Sequence, residues 1–128
     1  MLGRTVGAEL TGASLYELPP GEKGSPYHYE LHREEWIIIV SGEVTVRTPK
    51  GERVLCAGDT TCFPLGERGL HTVRNDGAEP ARFMMLSSYP KDGYAAVRPE
   101  SNTVVVVGPG FSTIVSLDEE RDFWGGEP

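Results

Sequence analysis

The sequence predicts an all-β domain, either a sandwich or a barrel. Glycine and proline occur 16 and 10 times among 128 residues, and they separate short runs of valine, isoleucine, threonine and aromatic residues. These runs follow one another without the long amphipathic segments that crossover helices require. Their periodicity alone does not decide between the two architectures.

The predicted strands are short and punctuated by turns. Residues 43–48 alternate cleanly, and the turn Pro49-Lys50-Gly51 leads into residues 52–55, which predicts a hairpin. Residues 35–40 are apolar on both alternating faces, so we expect this strand to be covered on both sides. The remaining predicted strands are residues 13–18, 26–31, 60–64, 71–74, 81–88, 104–107 and 112–116.

One helical signal stands near the end of the chain. Ser116-Leu117-Asp118-Glu119 has the spacing of a capping box, which predicts one short C-terminal helix. A chain of 128 residues can bury one core, so we expect a single domain over residues 1–128. Its barrel is predicted over about residues 13–116, with an acidic C-terminal segment over residues 117–128.

Charge and composition disfavour several classes of partner. The net charge of -7 and the pI near 4.9 argue against nucleic acid and against anionic membranes. No stretch reaches the roughly 18 apolar residues of a membrane span, and the first residues lack the apolar run of a signal peptide, so we expect a cytoplasmic protein. Cys56 and Cys62 form no CxxC pair, which indicates reduced, partly buried thiols.

Histidine and glutamate side chains, which can bind metal ions, occur in two segments of the chain. His28, Glu30, His32 and Glu35 lie on the first segment and His71 on the second. Residues two apart share a face of an extended chain, so the side chains of positions 28 and 30 point the same way. Burying an imidazole next to a carboxylate is costly unless a cation neutralises the pair. The pattern predicts a divalent metal ion.

These residues resemble the first motif of the cupin superfamily, usually written G-x5-H-x-H-x3-4-E-x6-G. His28 takes the place of the first histidine, and six residues separate Glu35 from Gly42, as in the motif. Glu30 stands where the family usually has its second histidine. Gly21 lies one residue further from His28 than the motif asks.

A second segment resembles the other cupin motif, G-x5-P-x-G-x2-H-x3-N. Gly58, Pro64 and Gly66 keep its spacing. His71 comes two residues late, and Asn75 restores the final interval, so the loop before the histidine is longer than usual. The two motifs cover roughly half of the chain, and their short spacer is similar to that of small microbial cupins.

The resemblance implies a cupin β jelly-roll barrel that holds one divalent metal ion. The ligands it implies are His28, Glu35 and His71, with Glu30 in the place of a fourth. Mixed imidazole and carboxylate ligation suits Mn, Fe, Ni or Zn. Two carboxylates bring such a site near neutral charge, which lowers its attraction for anionic substrates.

Each ligand has an alternative interpretation. His28 and Glu35 are otherwise a hydrogen-bonded pair at the barrel mouth, and His71 a solvent-facing loop residue. Glu30 is otherwise an outer partner of the site, a catalytic group or a surface carboxylate. His32 is expected to face solvent, although a bulge in the strand would let it replace Glu30.

Two functions remain open from the sequence. The first is a metal-dependent enzyme acting on a small organic molecule by isomerase, oxygenase or decarboxylase chemistry, with Glu30 moving a proton. Phosphosugars are disfavoured as substrates, since Arg74 and Arg82 are the few candidate cations on the presumed inner faces. The second is a non-enzymatic module that binds or senses a small ligand around a structural metal. In both, the apolar outer face of residues 36–40 predicts a homodimer.

Overall fold

A computed structural model of the chain describes residues 2–118, most of which form β-strands and their connections. A single 3₁₀ turn, Glu67–Gly69, interrupts the loop before β7. The predicted all-β class is confirmed. In chain order the elements are α1 (Leu2–Thr5), β1 (Thr11–Leu18), β2 (Tyr29–Glu30), β3 (Glu35–Ser41), β4 (Glu43–Thr48), β5 (Gly51–Cys56), β6 (Thr60–Phe63), β7 (Thr72–Arg74), β8 (Ala81–Ser88), β9 (Tyr94–Arg98), β10 (Thr103–Gly108) and β11 (Phe111–Ser116).

Within residues 2–118 the strands form three antiparallel sheets. Their orders are β1-β8-β3-β6, β5-β4-β7 and β11-β10-β9-β2. Within these residues the edges of the sheets do not pair with one another, so the predicted jelly-roll barrel is not closed by strand pairing. β5 and β6, for example, end up at the edges of two different sheets.

The hydrophobic core lies between the first two sheets. β3 shows the alternation that builds it, because Ile37 and Ile39 are buried while Trp36 and Val40 are exposed. Gly42 then turns the chain at a φ of 73°, and a β-carbon there would lie 2.8 Å from the carbonyl oxygen of Pro80. The core residues are Leu18, Ile37, Ile39, Val44, Val46, Leu55, Phe63, Val73, Ala81 and Phe83.

Two elements depend on tertiary contacts and were not predicted from the sequence. β9 is short and contains two alanines, which have low strand propensity, yet it pairs with both β10 and β2. α1 is a single turn whose buried Gly3 packs on the backbone of Thr11 and Ala13. The expectation of helix at the C-terminus alone was therefore wrong.

The predicted C-terminal helix is not seen in the described part of the chain. Ser116, where the capping signal begins, is the last residue of β11. Leu117 and Asp118 form a bend, and the rest of the predicted helix, from residue 119 onward, lies outside the described residues. None of the helices within residues 2–118 combines the length and the apolar character needed to span a bilayer.

Candidate metal site

Two histidines face each other across adjacent backbone segments. His28 and His71 form an antiparallel bridge in which each backbone N–H donates to the other's carbonyl, at 3.0 and 2.9 Å. The bridge joins the chain just before β2 to the chain just before β7. Directly opposed residues of an antiparallel pair project their side chains to the same side. The backbone therefore sets the two imidazoles side by side, with ring centroids 4.7 Å apart.

Both imidazoles are held in the same tautomer. Nδ1 of His28 lies 2.8 Å from the carbonyl oxygen of Pro26, and Nδ1 of His71 lies 2.7 Å from that of Gly69. A carbonyl only accepts, so each Nδ1 carries the hydrogen and donates it. In neutral imidazoles Nε2 then has the free lone pair, which is the arrangement found for metal-bound histidines.

The loop before His71 is shaped by a close backbone approach. Gly69 is buried, and a β-carbon at this position would overlap the carbonyl oxygen of Pro64. Glycine is therefore required for the loop to fold against Pro64 and present its own carbonyl to His71. The extra residues in this loop leave His71 1% exposed, so the alternative of a solvent-facing histidine does not fit the structure.

Glu35 brings a carboxylate to the two imidazoles. It is the first residue of β3 and lies on the buried face with Ile37. Its Oε2 is 3.5 Å from Nε2 of His28 and 3.6 Å from Nε2 of His71. This buried oxygen has no hydrogen-bond partner among the described residues.

The spacing of these donor atoms fits a shared ion. One donor atom from each of His28, Glu35 and His71 can be chosen so that all lie within 4.8 Å of one another. Two ligands bound at about 2.1 Å to one tetrahedral ion stand roughly 3.4 Å apart. The observed separations are close to that value but too long for hydrogen bonds. A bound cation would satisfy the orphaned oxygen of Glu35.

Glu30 is buried next to this group but pairs with an arginine. Its Oε1 accepts a hydrogen bond from Arg33 at 2.8 Å and lies 3.6 Å from Nε2 of His28. Its Oε2 is buried without a partner among residues 2–118. The guanidinium of Arg33 also stacks on the ring of Tyr94, 3.7 Å from its centroid. Glu30 lies outside the group of three, so its role as a fourth ligand stays a prediction.

The protonation of the site follows from burial and charge. Burial acts to lower the pKa of His28, but the carboxylates of Glu30 and Glu35 outweigh it and raise that pKa to about 9. Burial lowers the pKa of His71 to about 4, and the neighbouring His28 adds to this effect. Burial acts to raise the pKa of Glu30, but the close contact with His28 and the hydrogen bond from Arg33 hold it below its usual value. Without metal at neutral pH, His28 is cationic and His71 neutral.

Arg33 changes the charge balance expected from the sequence. Two carboxylates and a divalent ion are neutral together, but the guanidinium 2.8 Å from Glu30 and 3.7 Å from Glu35 leaves the loaded site near +1. Arg33 could not be identified from the sequence, because its aromatic partner, Tyr94, lies on the unpredicted strand β9. The loaded site is therefore not neutral, and the reason for expecting weak attraction of anionic substrates no longer holds.

The other candidate residues lie away from the group. His32 is exposed, and its ring accepts a hydrogen bond from the backbone N–H of Ala95 at 3.3 Å. Tyr27 stacks against the guanidinium of Arg47. Cys56 and Cys62 are both free, as expected, but Cys56 is exposed and does not belong to the core.

A phenyl ring backs the site. Phe63, the last residue of β6, lies flat on the imidazole of His71, with ring centroids 3.5 Å apart and planes at 3°. Phe63 pairs in register with Glu35 across the two strands. It packs on a face of the His71 ring, whereas the polar contacts are made by the ring nitrogens at its edge. From the sequence, Phe63 was predicted only to lie in a strand.

Comparisons with known proteins bear on the family and the fold of the chain. The family profile described as "Cupin domain" matches residues 14–87. No sequence among curated proteins matches the chain significantly. Several solved structures do resemble it.

Two of these structures cover nearly the whole chain. One is a sugar phosphate isomerase from a cupin superfamily of Silicibacter pomeroyi, with a TM-score of 0.86, 25% identity, and coverage of 91% of this chain and 74% of that one. Another, provisionally described as a sugar phosphate isomerase, comes from Acidithiobacillus ferrooxidans, with a TM-score of 0.85, 24% identity, and coverage of 94% and 76%.

A third structure covers less of the chain. It is the cupin domain of an XRE family transcriptional regulator from Enterobacter cloacae, with a TM-score of 0.51 and 26% identity. The similarity covers 62% of this chain and 82% of that one.

Proposed function

Because this chain belongs to the cupin family, we propose that it is a metal-dependent enzyme that isomerises a small sugar phosphate. The observation that carries the proposal is the convergence of two Nδ1-tethered imidazoles on the unpartnered Oε2 of Glu35. The description of the Silicibacter pomeroyi structure supports the isomerase type over the oxygenase and decarboxylase types.

His28, Glu35 and His71 are the residues that hold the ion in this proposal, and the metal is Mn, Fe, Ni or Zn. When bound, a divalent ion supplies Lewis acidity that polarises a carbonyl or hydroxyl oxygen. The hydrogen bonds to Pro26 and Gly69 keep both imidazoles oriented for it.

Glu30 is the group that moves the proton. Isomerisation between an aldose and a ketose moves one proton from the carbon beside the carbonyl to the carbonyl carbon. A second proton moves from the hydroxyl oxygen that becomes the new carbonyl to the former carbonyl oxygen, so no proton is gained or lost overall. Burial acts to raise the pKa of Glu30, but the contact with His28 and the hydrogen bond from Arg33 lower it overall, so Glu30 is ionised at neutral pH. Its Oε2 is buried and unpartnered among residues 2–118, and Arg33 holds the other oxygen in place.

Turnover and metal content of matched variants test this assignment. We expect Glu30→Gln to retain metal while kcat on a panel of aldose and ketose phosphates falls by about 10²-fold or more. His32→Gln is the control, because His32 is exposed and outside the group. Unchanged turnover in Glu30→Gln would show that the carboxylate moves no proton. Loss of metal from that variant would instead make it a ligand.

A second candidate is a sensing module without catalysis. It is favoured by the likeness to the cupin domain of a transcriptional regulator, which covers 62% of this chain. In this case the metal stabilises the fold and the ligand is read by a partner protein. Binding of a sugar phosphate without any turnover, in protein that contains metal, would favour this candidate.

We also propose that the chain forms a homodimer. Trp36 and Val40 on the outer face of β3 are 43% and 48% exposed, whereas Ile37 and Ile39 on the inner face are buried. A second copy packed on this face would cover the exposed apolar side chains. Sedimentation equilibrium of Trp36→Glu should show a monomer where the unmodified protein shows a dimer, and a monomeric unmodified protein would refute the proposal.

A further inference from the structure

A cavity in the described part of the chain opens between two strand edges. β5 ends the second sheet and β6 ends the first, and a cavity of about 680 Å³ lies between them. Its apolar floor contains Val46, Leu55 and Phe63, all of which are buried. Small-ligand pockets typically have about 300–1,000 Å³, so this cavity has room for a sugar-sized molecule.

The space at the imidazoles is too small for a whole substrate. The cavity that borders both His28 and His71 holds only about 70 Å³. A sugar phosphate therefore needs a second space for most of its atoms. Phe63 lines the large cavity and stacks on His71, so that cavity begins one aromatic ring away from the metal group.

Three cations line the large cavity. They are Lys50 from the β4–β5 turn, Arg53 from β5 and Arg68 from the loop after β6. The single acidic residue in the lining is Glu67. A net positive lining is notable in a chain whose net charge is -7, because concave positive sites concentrate anions.

These cations are not used for ion pairs within residues 2–118. Other arginines of the chain are paired: Arg74 with Glu52 at 2.6 Å, Arg47 with Glu100 at 2.7 Å. No carboxylate of the described residues lies within 4.0 Å of the charged nitrogens of Lys50, Arg53 or Arg68. Guanidinium forks match phosphate oxygens bidentately, and a lysine adds a mobile point charge.

We infer that the cavity between β5 and β6 binds the phosphate group of a phosphorylated small molecule through Lys50, Arg53 and Arg68. The inference rests on the proposed function and deepens it, since it assigns the anionic end of the substrate to a named site. Arg74 and Arg82, the cations considered from the sequence, do not line this cavity, and Arg74 is already paired with Glu52.

Calorimetric titration of the metal-loaded full chain with glycerol 3-phosphate tests the inference. The test variant is Lys50→Gln/Arg53→Gln/Arg68→Gln, and all three side chains are exposed enough for the fold to tolerate the changes. The matched control is Lys23→Gln/Lys91→Gln/Arg98→Gln, which removes the same charge outside the cavity. Should the triple variant unfold early, Lys50→Gln/Arg68→Gln replaces it.

We expect the cavity variant to weaken glycerol 3-phosphate binding by about tenfold or more, and the control by less than about twofold. Glycerol itself should not bind. The inference is overturned if unmodified protein does not bind glycerol 3-phosphate, if both triple variants weaken binding equally, or if inorganic phosphate binds and the ester does not. Metal content and turnover, measured on the same samples, decide the proposed function separately, since an inactive protein can still bind the ester in this cavity.

Discussion

The ring of Phe63 lies parallel to the imidazole of His71, 3.5 Å from it between centroids, and also forms part of the floor of the basic cavity. One side chain thus contacts both the candidate metal group and the candidate phosphate site. The contact fixes the plane of an imidazole whose Nδ1 is already tied to Gly69. Removal of the Phe63 ring should therefore affect metal binding more than it affects the stability of the fold.

We expect Phe63→Leu to lower metal affinity by about tenfold, because loss of a partner that orients a ligand typically costs 10–100-fold. The free energy of unfolding of the metal-free protein should fall by only about 1 kcal/mol, since leucine keeps most of the buried volume. Competition with a chelator measures the affinity, and Phe111→Leu on exposed β11 is the control. Equal affinity in both variants would contradict the orienting role.

The stability of the metal-free protein should depend on pH through the two histidines. The pKa of His28 is raised from 6.5 to about 9, so its stabilising effect is complete below pH 6.5 and is lost as the pH rises to about 9. The pKa of His71 is lowered from 6.5 to about 4, so stability is lost as the pH falls through this range. Thermal unfolding across pH 4–9 should therefore show its highest midpoint near pH 6.5.

The alkaline branch has a direct control. His28→Gln should abolish the loss of stability above pH 6.5 while leaving the acidic branch, because His71 is unchanged. An alkaline branch of full size in this variant would assign the effect to another group. Saturating metal should also remove that branch, since the ion binds the neutral imidazole.

The last residue of the second motif has a structural role. Asn75 is fully buried, and its amide donates to the carbonyls of Leu18 and Glu79 at 2.8 Å while its oxygen accepts from the N–H of Gly77 at 2.9 Å. Asn75→Ala leaves three backbone groups unpaired and should lower the free energy of unfolding by about 2–4 kcal/mol. Urea denaturation measures this loss, with Ser112→Ala on exposed β11 as the control. A loss below that of the control would show that the turn does not need the amide.

Much of the fold followed from alternation in the sequence. Residues 43–48 and 81–88 were predicted with the bounds of β4 and β8, the first because apolar and polar positions alternate along it. The segment around Glu30 was predicted too long, because the chain pairs with β9 for only two residues before bending. β9 itself was missed because its pairing comes from neighbours distant in sequence.

The candidate site was predicted in part. The motif spacing identified His28, Glu35 and His71 as ligands of one ion, and the structure brings these three side chains together. Arg33 was not identified, because its role comes from Glu30 across a bend and from Tyr94 on β9. The basic cavity could not be predicted either, since its cations lie on separate elements and meet only where two sheet edges part.

The central claim is that His28, Glu35 and His71 hold one divalent ion. Elemental analysis of protein purified without chelator measures it most directly, with Glu35→Gln and His71→Ala as test variants and His32→Gln as the control. We predict about one ion per chain in the unmodified protein and the control, and less than about a tenth of that in the test variants. A metal-free unmodified protein that takes up none of Mn, Fe, Ni or Zn, or full metal retention by His71→Ala, would contradict the claim.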